Sequence, residues 1–312
     1  MQPKIIVVGS ANTDLVVQTP RLPRPGETIL GGAFVVAQGG KGANQAVAAA
    51  RLGAQVTLVA CLGQDSFGEQ SLKAYQAEGI DIRYVRREAG VASGVALILV
   101  SEQGENMIAV APGANAKLSP EDVLAAEEAF VQADCVLLQL EIPLETVQAA
   151  AELACRHEVE VILNPAPAAR LPDDLLRLVS VLTPNETEAA LLAGRDSEKA
   201  QGEGAGWYAQ EAYRLLSARG VKTMIVTQGG EGATLFTDLE ASQHIPGFPV
   251  RVVDTVACGD AFNAALAVSL ARGASLPEAV RYANAVGALT ATRSGAQPSL
   301  PTAAEVESFL QP

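Results

Sequence analysis

The stretch DTVACGDAFNAAL, Asp254 to Leu266, places two carboxylates, a threonine and a glycine ahead of a run of small apolar residues with helical period. A helix beginning near Gly259 leaves its first N–H groups without carbonyl partners. Its positive dipole end then lies over the turn Ala257-Cys258-Gly259, where negative charge is stabilised. Asp260 lies in that first turn, where it would repel an anion. It is either an N-terminal helix acid, worth about 0.3–1 kcal/mol against the dipole, or a carboxylate with chemistry of its own beside an anion hole. The first reading leaves Asp254 and the small residues of the turn unexplained. A second stretch, GGKGANQAVAAARLG from Gly39 to Gly53, joins paired glycines to an alanine-rich helix. Glycines let backbone approach a ligand closely, and Lys41 and Asn44 can bond oxygens beside that approach. A glycine-bearing helix start with a solvated lysine accounts for this stretch as well.

The elements that must position these residues alternate short β-branched runs with longer alanine-rich stretches, the pattern of crossover units on a mostly parallel sheet. The expected fold is α/β, a central mostly parallel sheet flanked by helices in one domain over 1–312. Strands are expected over 5–8, 56–60, 135–139, 159–163, 180–182 and 223–227. Helices are expected over 42–52, 68–78, 120–131, 144–156, 186–192, 206–219, 259–272, 277–292 and 303–310. Two stretches break the alternation, 15–38 and 91–110, and read as strands and hairpins. They are expected to form a small β flap or lid over the main domain or against a partner; extension of the main sheet's edge is the other possibility. Residues 194–206 read as a surface loop.

Several strands end in abrupt polar turns, GSANTD, QLEIP, NPAPA, TPNETE and TQGGEG. In an open parallel sheet these gather at the carboxyl edge, where ligands bind. Turn chemistry alone explains their Gly and Pro but not the repeated Asn, Asp and Glu. The first turn lacks GxGxxG and no GxxxxGK[ST] occurs, so nicotinamide dehydrogenases and P-loop enzymes are disfavoured.

Composition narrows the classes further. The chain has 312 residues, 49% of them hydrophobic, and a net charge of −13. That charge argues against nucleic acid or a polybasic membrane patch as partner, but not against an anion held locally. Four cysteines without CxxC spacing and two histidines make a zinc cluster improbable and point to a reducing compartment. No secretory or membrane-spanning segment is read, so a cytoplasmic, soluble protein is expected.

GGKGANQAVAAARLGA and VDTVACGDAFNAAL, with NPAPA and TPNETEA between them, closely resemble the ribokinase-like carbohydrate kinase family, and the likeness runs from GSANTD to RSGAQPSLP. The resemblance implies transfer of the γ-phosphoryl of ATP to the primary (O5) hydroxyl of D-ribose. Asp260 would be the base, and Ala257, Cys258 and Gly259 the anion hole. It implies Asn12, Asp14, Gly40, Lys41, Asn44 and Glu141 around the sugar, although Glu141 also reads as a solvated loop acid. It implies Asn185, Thr227, Gly229, Gly230, Glu231, Gly232, Gly259 and Asn284 around the nucleotide. Glu188 would hold Mg²⁺ through water, though N-x-x-E is also a helix-capping pattern. Asp254, Val256, Thr290, Arg293, Gly295 and Ser299 would surround a monovalent cation, K⁺, mostly through backbone oxygens. A homodimer clasped through the β lid is implied as well. A kinase for another sugar or a nucleoside, and a non-catalytic sugar- or nucleotide-binding regulator, are the rival functions. Cys258 replaces the family's usual Gly or Ala; at a positive helix end its thiol is expected to be acidified and open to thiol reagents, with ATP protecting.

Overall fold

A computed structural model describes residues 2–194 and 205–311. The segment expected as a surface loop, 194–206, falls mostly outside the described residues. The strands are β1 (Lys4–Val8), β2 (Asn12–Thr19), β3 (Phe34–Gly39), β4 (Gln55–Gly63), β5 (Asp81–Glu88), β6 (Gly94–Ser101), β7 (Asn106–Ala111), β8 (Cys135–Leu138), β9 (Glu160–Leu163), β10 (Val181–Leu182), β11 (Met224–Thr227), β12 (Gly232–Phe236) and β13 (Ser242–Pro246). The helices are α1 (Lys41–Arg51), α2 (Ser66–Ala77), α3 (Pro120–Ala125), α4 (Glu127–Phe130), α5 (Leu144–Arg156), α6 (Asp173–Leu178), α7 (Glu186–Leu192), α8 (Ala205–Ser217), α9 (Cys258–Ala271), α10 (Leu276–Ala291) and α11 (Ala303–Leu310).

Nine strands form the main sheet in the order β13-β12-β11-β10-β9-β8-β1-β4-β5. It is parallel from β11 through β5, with β12 and β13 added antiparallel at one edge. The six strands expected from sequence are the parallel core. Side chains alternate across the sheet. Ile5, Val7, Leu137 and Ile225 pack against α1, α9 and α10, while Ile6, Val8, Leu138 and Val226 pack against α3, α5 and α8. The chain turns back on itself at β1, which has β4 on one side and β8 on the other. That switch point opens a crevice at the carboxyl ends of β1 and β8.

The expected helix over 120–131 is instead two short ones, broken at Ala126, whose N–H bonds the carbonyl three residues back, at Val123. The helix expected from Gly68 starts at Ser66, because the Asp65 carboxylate accepts from the Gly68 amide at 2.8 Å.

The second sheet has four strands in the order β3-β2-β6-β7, with β2 and β6 parallel and the outer pairs antiparallel. Cross-strand partners share a face, so Val35, Ile108 and Val110 lie on the face of Asp14, and Phe34, Val36, Leu97 and Met107 on the other. All seven are exposed. Among the described residues no helix is long and apolar enough to cross a membrane.

Candidate active site

Two helix starts, those of α1 and α9, meet at the crevice, and the chain treats them differently. The first amides of α1 are taken. Lys41 N donates to Glu141 Oε2 at 3.0 Å, Gly42 N to Ser10 Oγ at 3.3 Å and Ala43 N to the Ser10 carbonyl at 2.8 Å. The Ser10 hydroxyl in turn donates to Glu141 in a short bond. Glu141 is therefore no solvated loop acid: it fixes the start of α1. The packing that makes this possible depends on bare glycines. A Cβ on Gly42 would lie 2.6 Å from Gly9 and Ser10 backbone, and one on Gly40, where φ is +88°, 2.6 Å from the Asn12 amide.

The start of α9 has no side-chain cap. Its flanking residue Ala257 holds φ +62°, ψ +5°, a left-handed conformation rare for a residue with a Cβ. The Gly259 and Asp260 amides open the helix without carbonyl partners inside it. Asp260, 5% exposed, points back across the crevice. Its Oδ2 accepts from Asn44 Nδ2 at 2.9 Å and its Oδ1 from Gln45 Nε2 at 3.2 Å.

Charge is concentrated here. Burial, with help from Glu141 and Asp260, pushes the Asp14 carboxyl up to about 7. Burial also raises Asp260, against the opposing pull of Lys41 and of the Asn44 and Gln45 bonds. Burial draws the Lys41 ammonium down, but Asp260, Glu141 and Glu188 together leave it raised. Asp14 sits against backbone: a Cβ on Gly39 would lie 2.2 Å from its Oδ2. Asn12 is held by Asn115, whose Nδ2 donates to Asn12 Oδ1 at 2.7 Å while its Oδ1 accepts from the Ala11 amide at 2.9 Å.

Behind the turn that opens α9 lies an apolar cavity of about 200 Å³, bordered by Thr227, Gly229, Gly230, Gly232, Phe248, Val252, Cys258, Gly259 and Asn284. Glu231 and Asn185 do not border it. Asn284 donates to the carbonyls of Ile245 and Pro246 at 3.0 and 3.2 Å, tying α10 to β13. Asn185 and Glu188 form a reciprocal cap on α7, the Glu188 amide donating to Asn185 Oδ1 at 2.8 Å and the Asn185 amide to Glu188 Oε2 at 2.9 Å. A larger groove, of about 370 Å³, lies at the opposite edge of the sheet around Lys4, Asp81 and Arg83, remote from all of these residues.

A third assembly lies beside the start of α9. Asp254 accepts from the Val256 amide at 3.0 Å and from the Gly295 amide at 2.9 Å, which joins the strap before α9 to the turn after α10. The Val253 amide bonds the Ala291 carbonyl at 2.8 Å. Arg293 pairs with Glu305 at 2.6 Å, so its side chain faces away as a cation. The hydroxyls of Thr290 and Ser299 donate to the carbonyls of Val286 and Ala296.

Residues 2–303 match the pfkB family carbohydrate kinase. The chain belongs to the pfkB family of carbohydrate kinases. Among curated relatives, a ribokinase of Haemophilus influenzae is 41% identical, over 100% of this chain and 99% of its own. A deoxyribokinase of Salmonella typhimurium is 36% identical over 98% of each. Among solved structures, a ribokinase of Arabidopsis thaliana complexed with ribose and ATP superposes with a TM-score of 0.88 at 34% identity, covering 100% of this chain and 99% of that one.

Seen as a pfkB kinase, the chain departs from its sequence-based expectation at Cys258. Burial, together with the Asp254 and Asp260 carboxylates, pushes its thiol up to about 11 rather than down. The helix dipole that would acidify it is outweighed by burial first and by the two flanking acids second. Sequence reasoning also passed over Ser10, Gln45 and Asn115, which bond the expected site residues Glu141, Asp260 and Asn12, and Gln139, which bonds Gln45. Gln45 follows Asn44 in the glycine-helix stretch, and Ser10 and Gln139 stand in the polar turns GSANTD and QLEIP; these placements were the available signals.

Proposed function

We propose that this pfkB kinase transfers the γ-phosphoryl of ATP to O5 of D-ribose. The observation that carries the reading is the contrast between the two helix starts. The amides of α1 are consumed by Ser10 and Glu141, whereas α9 lacks a side-chain cap and carries a buried carboxylate beside its open amides. Relatives named ribokinase over the full length of the chain support the sugar.

In this reading Asn12, Asp14, Lys41, Asn44 and the crevice wall at Gly40 and Glu141 hold the sugar hydroxyls. Asp260 takes the O5 proton as O5 bonds the γ-phosphorus and the bond from that phosphorus to the ADP oxygen breaks. The amides of the 257–259 turn and the Lys41 ammonium meet the charge on the migrating group. The adenosine end would enter the apolar cavity near Thr227, Gly229, Gly230, Gly232 and Asn284.

The donor set fits two metals. One Glu188 oxygen caps α7, and the other suits a hydrated Mg²⁺ held through water with Asn185 nearby; bound magnesium neutralises triphosphate charge. Asp254 and the carbonyls of Val256, Thr290, Arg293, Gly295 and Ser299 offer a hard, mostly neutral oxygen set, suited to a large monovalent cation such as K⁺. The four-stranded sheet serves as a lid. Apolar residues are exposed on both its faces, and one sugar can cover only one of them, so a second subunit clasped lid to lid is the natural cover for the rest. Four free cysteines agree with a reducing, cytoplasmic setting.

ADP release measured with ribose, 2-deoxyribose, fructose and adenosine tests the reading. A site built to bond each hydroxyl strands its own polar groups when one is missing. Ribose is expected to have the highest kcat/KM, at least about tenfold above 2-deoxyribose, with phosphorus NMR placing the phosphate on O5. A preference for 2-deoxyribose would move the chain toward its deoxyribokinase relatives, and no ADP release with any of the four would overturn the proposal.

A further inference from the structure

Beyond the base itself, a chain of buried amides reaches Asp260 from the sheet. Gln139 follows β8 and Gln45 lies in the first turns of α1; both are wholly buried. Gln139 Nε2 donates to Gln45 Oε1 at 2.7 Å, and Gln45 Nε2 donates to Asp260 Oδ1 at 3.2 Å. We propose that Gln139 and Gln45 are positioning residues that aim Asp260 at the phosphate-acceptor hydroxyl, an inference that rests on the reading of Asp260 as base.

The geometry allows one polarity. Because Gln45 Oε1 is engaged by an N–H of Gln139, its own N–H₂ end must face the carboxylate; reversed, carbonyl would oppose carboxylate and two N–H groups would meet. With Asn44 on Oδ2, both Asp260 oxygens are held and the carboxylate cannot rotate. Amides neither accept nor release protons at working pH, so the proton taken from the sugar has Asp260 as its only destination. The fold gives up packing to keep this chain. Gln139 Oε1 is buried without a partner, and a Cβ on Gly9, at the end of β1, would lie 2.0 Å from it. An apolar pair would fill the same volume without that orphaned oxygen. The charged groups facing Asp260 are Lys41 and Glu141, and Asp260 in turn opposes the ionisation of Asp14, Glu188 and Cys258.

Gln45→Met keeps length and removes the donor; Gln139→Met removes only the bond that orients Gln45. With ribose and ATP, Gln45→Met is expected to lower kcat about 10- to 100-fold, with the KM for ribose changed less than about threefold and the acidic limb of the kcat–pH profile moved upward. Gln139→Met is expected to do the same, about three- to tenfold, and decides the matter if Gln45→Met does not fold. Infrared titration of the protein without substrate, with Asp260→Asn marking the band, reads the carboxylate whatever the sugar proves to be. A native enzyme inactive on ribose would sink the substrate reading alone. An Asp260 band and kcat unchanged in the folded variants, with only thermal stability lowered, would overturn the positioning role.

Discussion

The two ends of the crevice are built from opposite materials. Around Asp14, Lys41, Asn44 and Asp260, charged and amide side chains are packed against bare glycine backbone, with both Asp260 oxygens bonded and Asn44 Oδ1 left without a partner. Around Gly229, Gly230, Phe248 and Val252 the wall is glycine, small apolar residues and backbone. In the proposed function the first region would recognise the sugar by directed bonds and so reject a near-analogue. The second would recognise a flat, apolar shape and leave charge to the turn between them. Substitutions should therefore act strongly and specifically at the sugar end and weakly at the nucleotide end.

The largest effect belongs at the junction. Asp260→Asn retains size and most hydrogen bonds but cannot take a proton, and general-base contributions run to about 10²–10⁴-fold. Turnover on ribose is expected to fall by that amount while ribose affinity, measured by calorimetry, stays within about threefold. Near-native turnover would remove Asp260 from the chemistry and erase the distinction between the two helix starts.

Asp14 sharpens the comparison, because the proposed function places it on the sugar side alone and the fold holds it at a cost. Its carboxyl is raised to about 7 from an ordinary value near 3.8. A raised carboxyl favours the folded state at low pH, where both states hold the proton, and that contribution is lost as pH climbs through about 7. The roughly three-unit difference corresponds to about 4 kcal/mol as an order of magnitude. Asp14→Asn should thus raise the thermal midpoint of the free protein at pH 8 and change it little at pH 4, while the KM for ribose rises about 10- to 100-fold. For the native enzyme, kcat/KM for ribose should fall as pH drops below about 7, since a neutral Asp14 loses acceptor capacity. A lower midpoint at pH 8 in Asp14→Asn would show that the group is stabilising where it lies.

How much of this was legible in the sequence follows the same division. The six strands marked by β-branched runs are the parallel core, because strands buried on both faces must be apolar throughout. Strand β5, DIRYVRRE, escaped notice because an edge strand can carry charges such as Arg83, Arg86 and Arg87. β12 and β13 are short antiparallel additions whose pattern resembles that of turns. Within the site, Lys41, Asn44 and Asp260 announced themselves by residue type and spacing. Gln45, Gln139 and Asn115 did not, since a positioning residue is defined by what it touches across the chain: Gln139 and Gln45 are 94 positions apart. The double use of Glu141 and Glu188 as helix caps likewise depends on tertiary placement. The Cys258 thiol is different. Asp254 and Asp260 stand in view on either side of it, but burial, the larger cause of its raised pKa, depends on tertiary placement.

The smallest effect is therefore expected at Cys258, which borders the apolar cavity and, in the proposed function, would contribute to the anion hole only through its backbone. Cys258→Ala leaves those donors in place and should keep kcat and both KM values within about twofold. With its thiol pushed up to about 11, the thiolate fraction near pH 7.5 is tiny, so iodoacetamide should inactivate the native enzyme slowly and faster with each rise in pH. The rate should follow the thiolate, rising about tenfold per pH unit until the thiol titrates. Cys155, exposed at the end of α5, should be alkylated without loss of activity. Rapid inactivation at pH 7.5, absent in Cys258→Ala and blocked by ATP, would restore the acidified thiol. It would also mean that the dipole at the start of α9 outweighs its flanking carboxylates, and that the nucleotide end is more strongly polarised than its apolar wall implies.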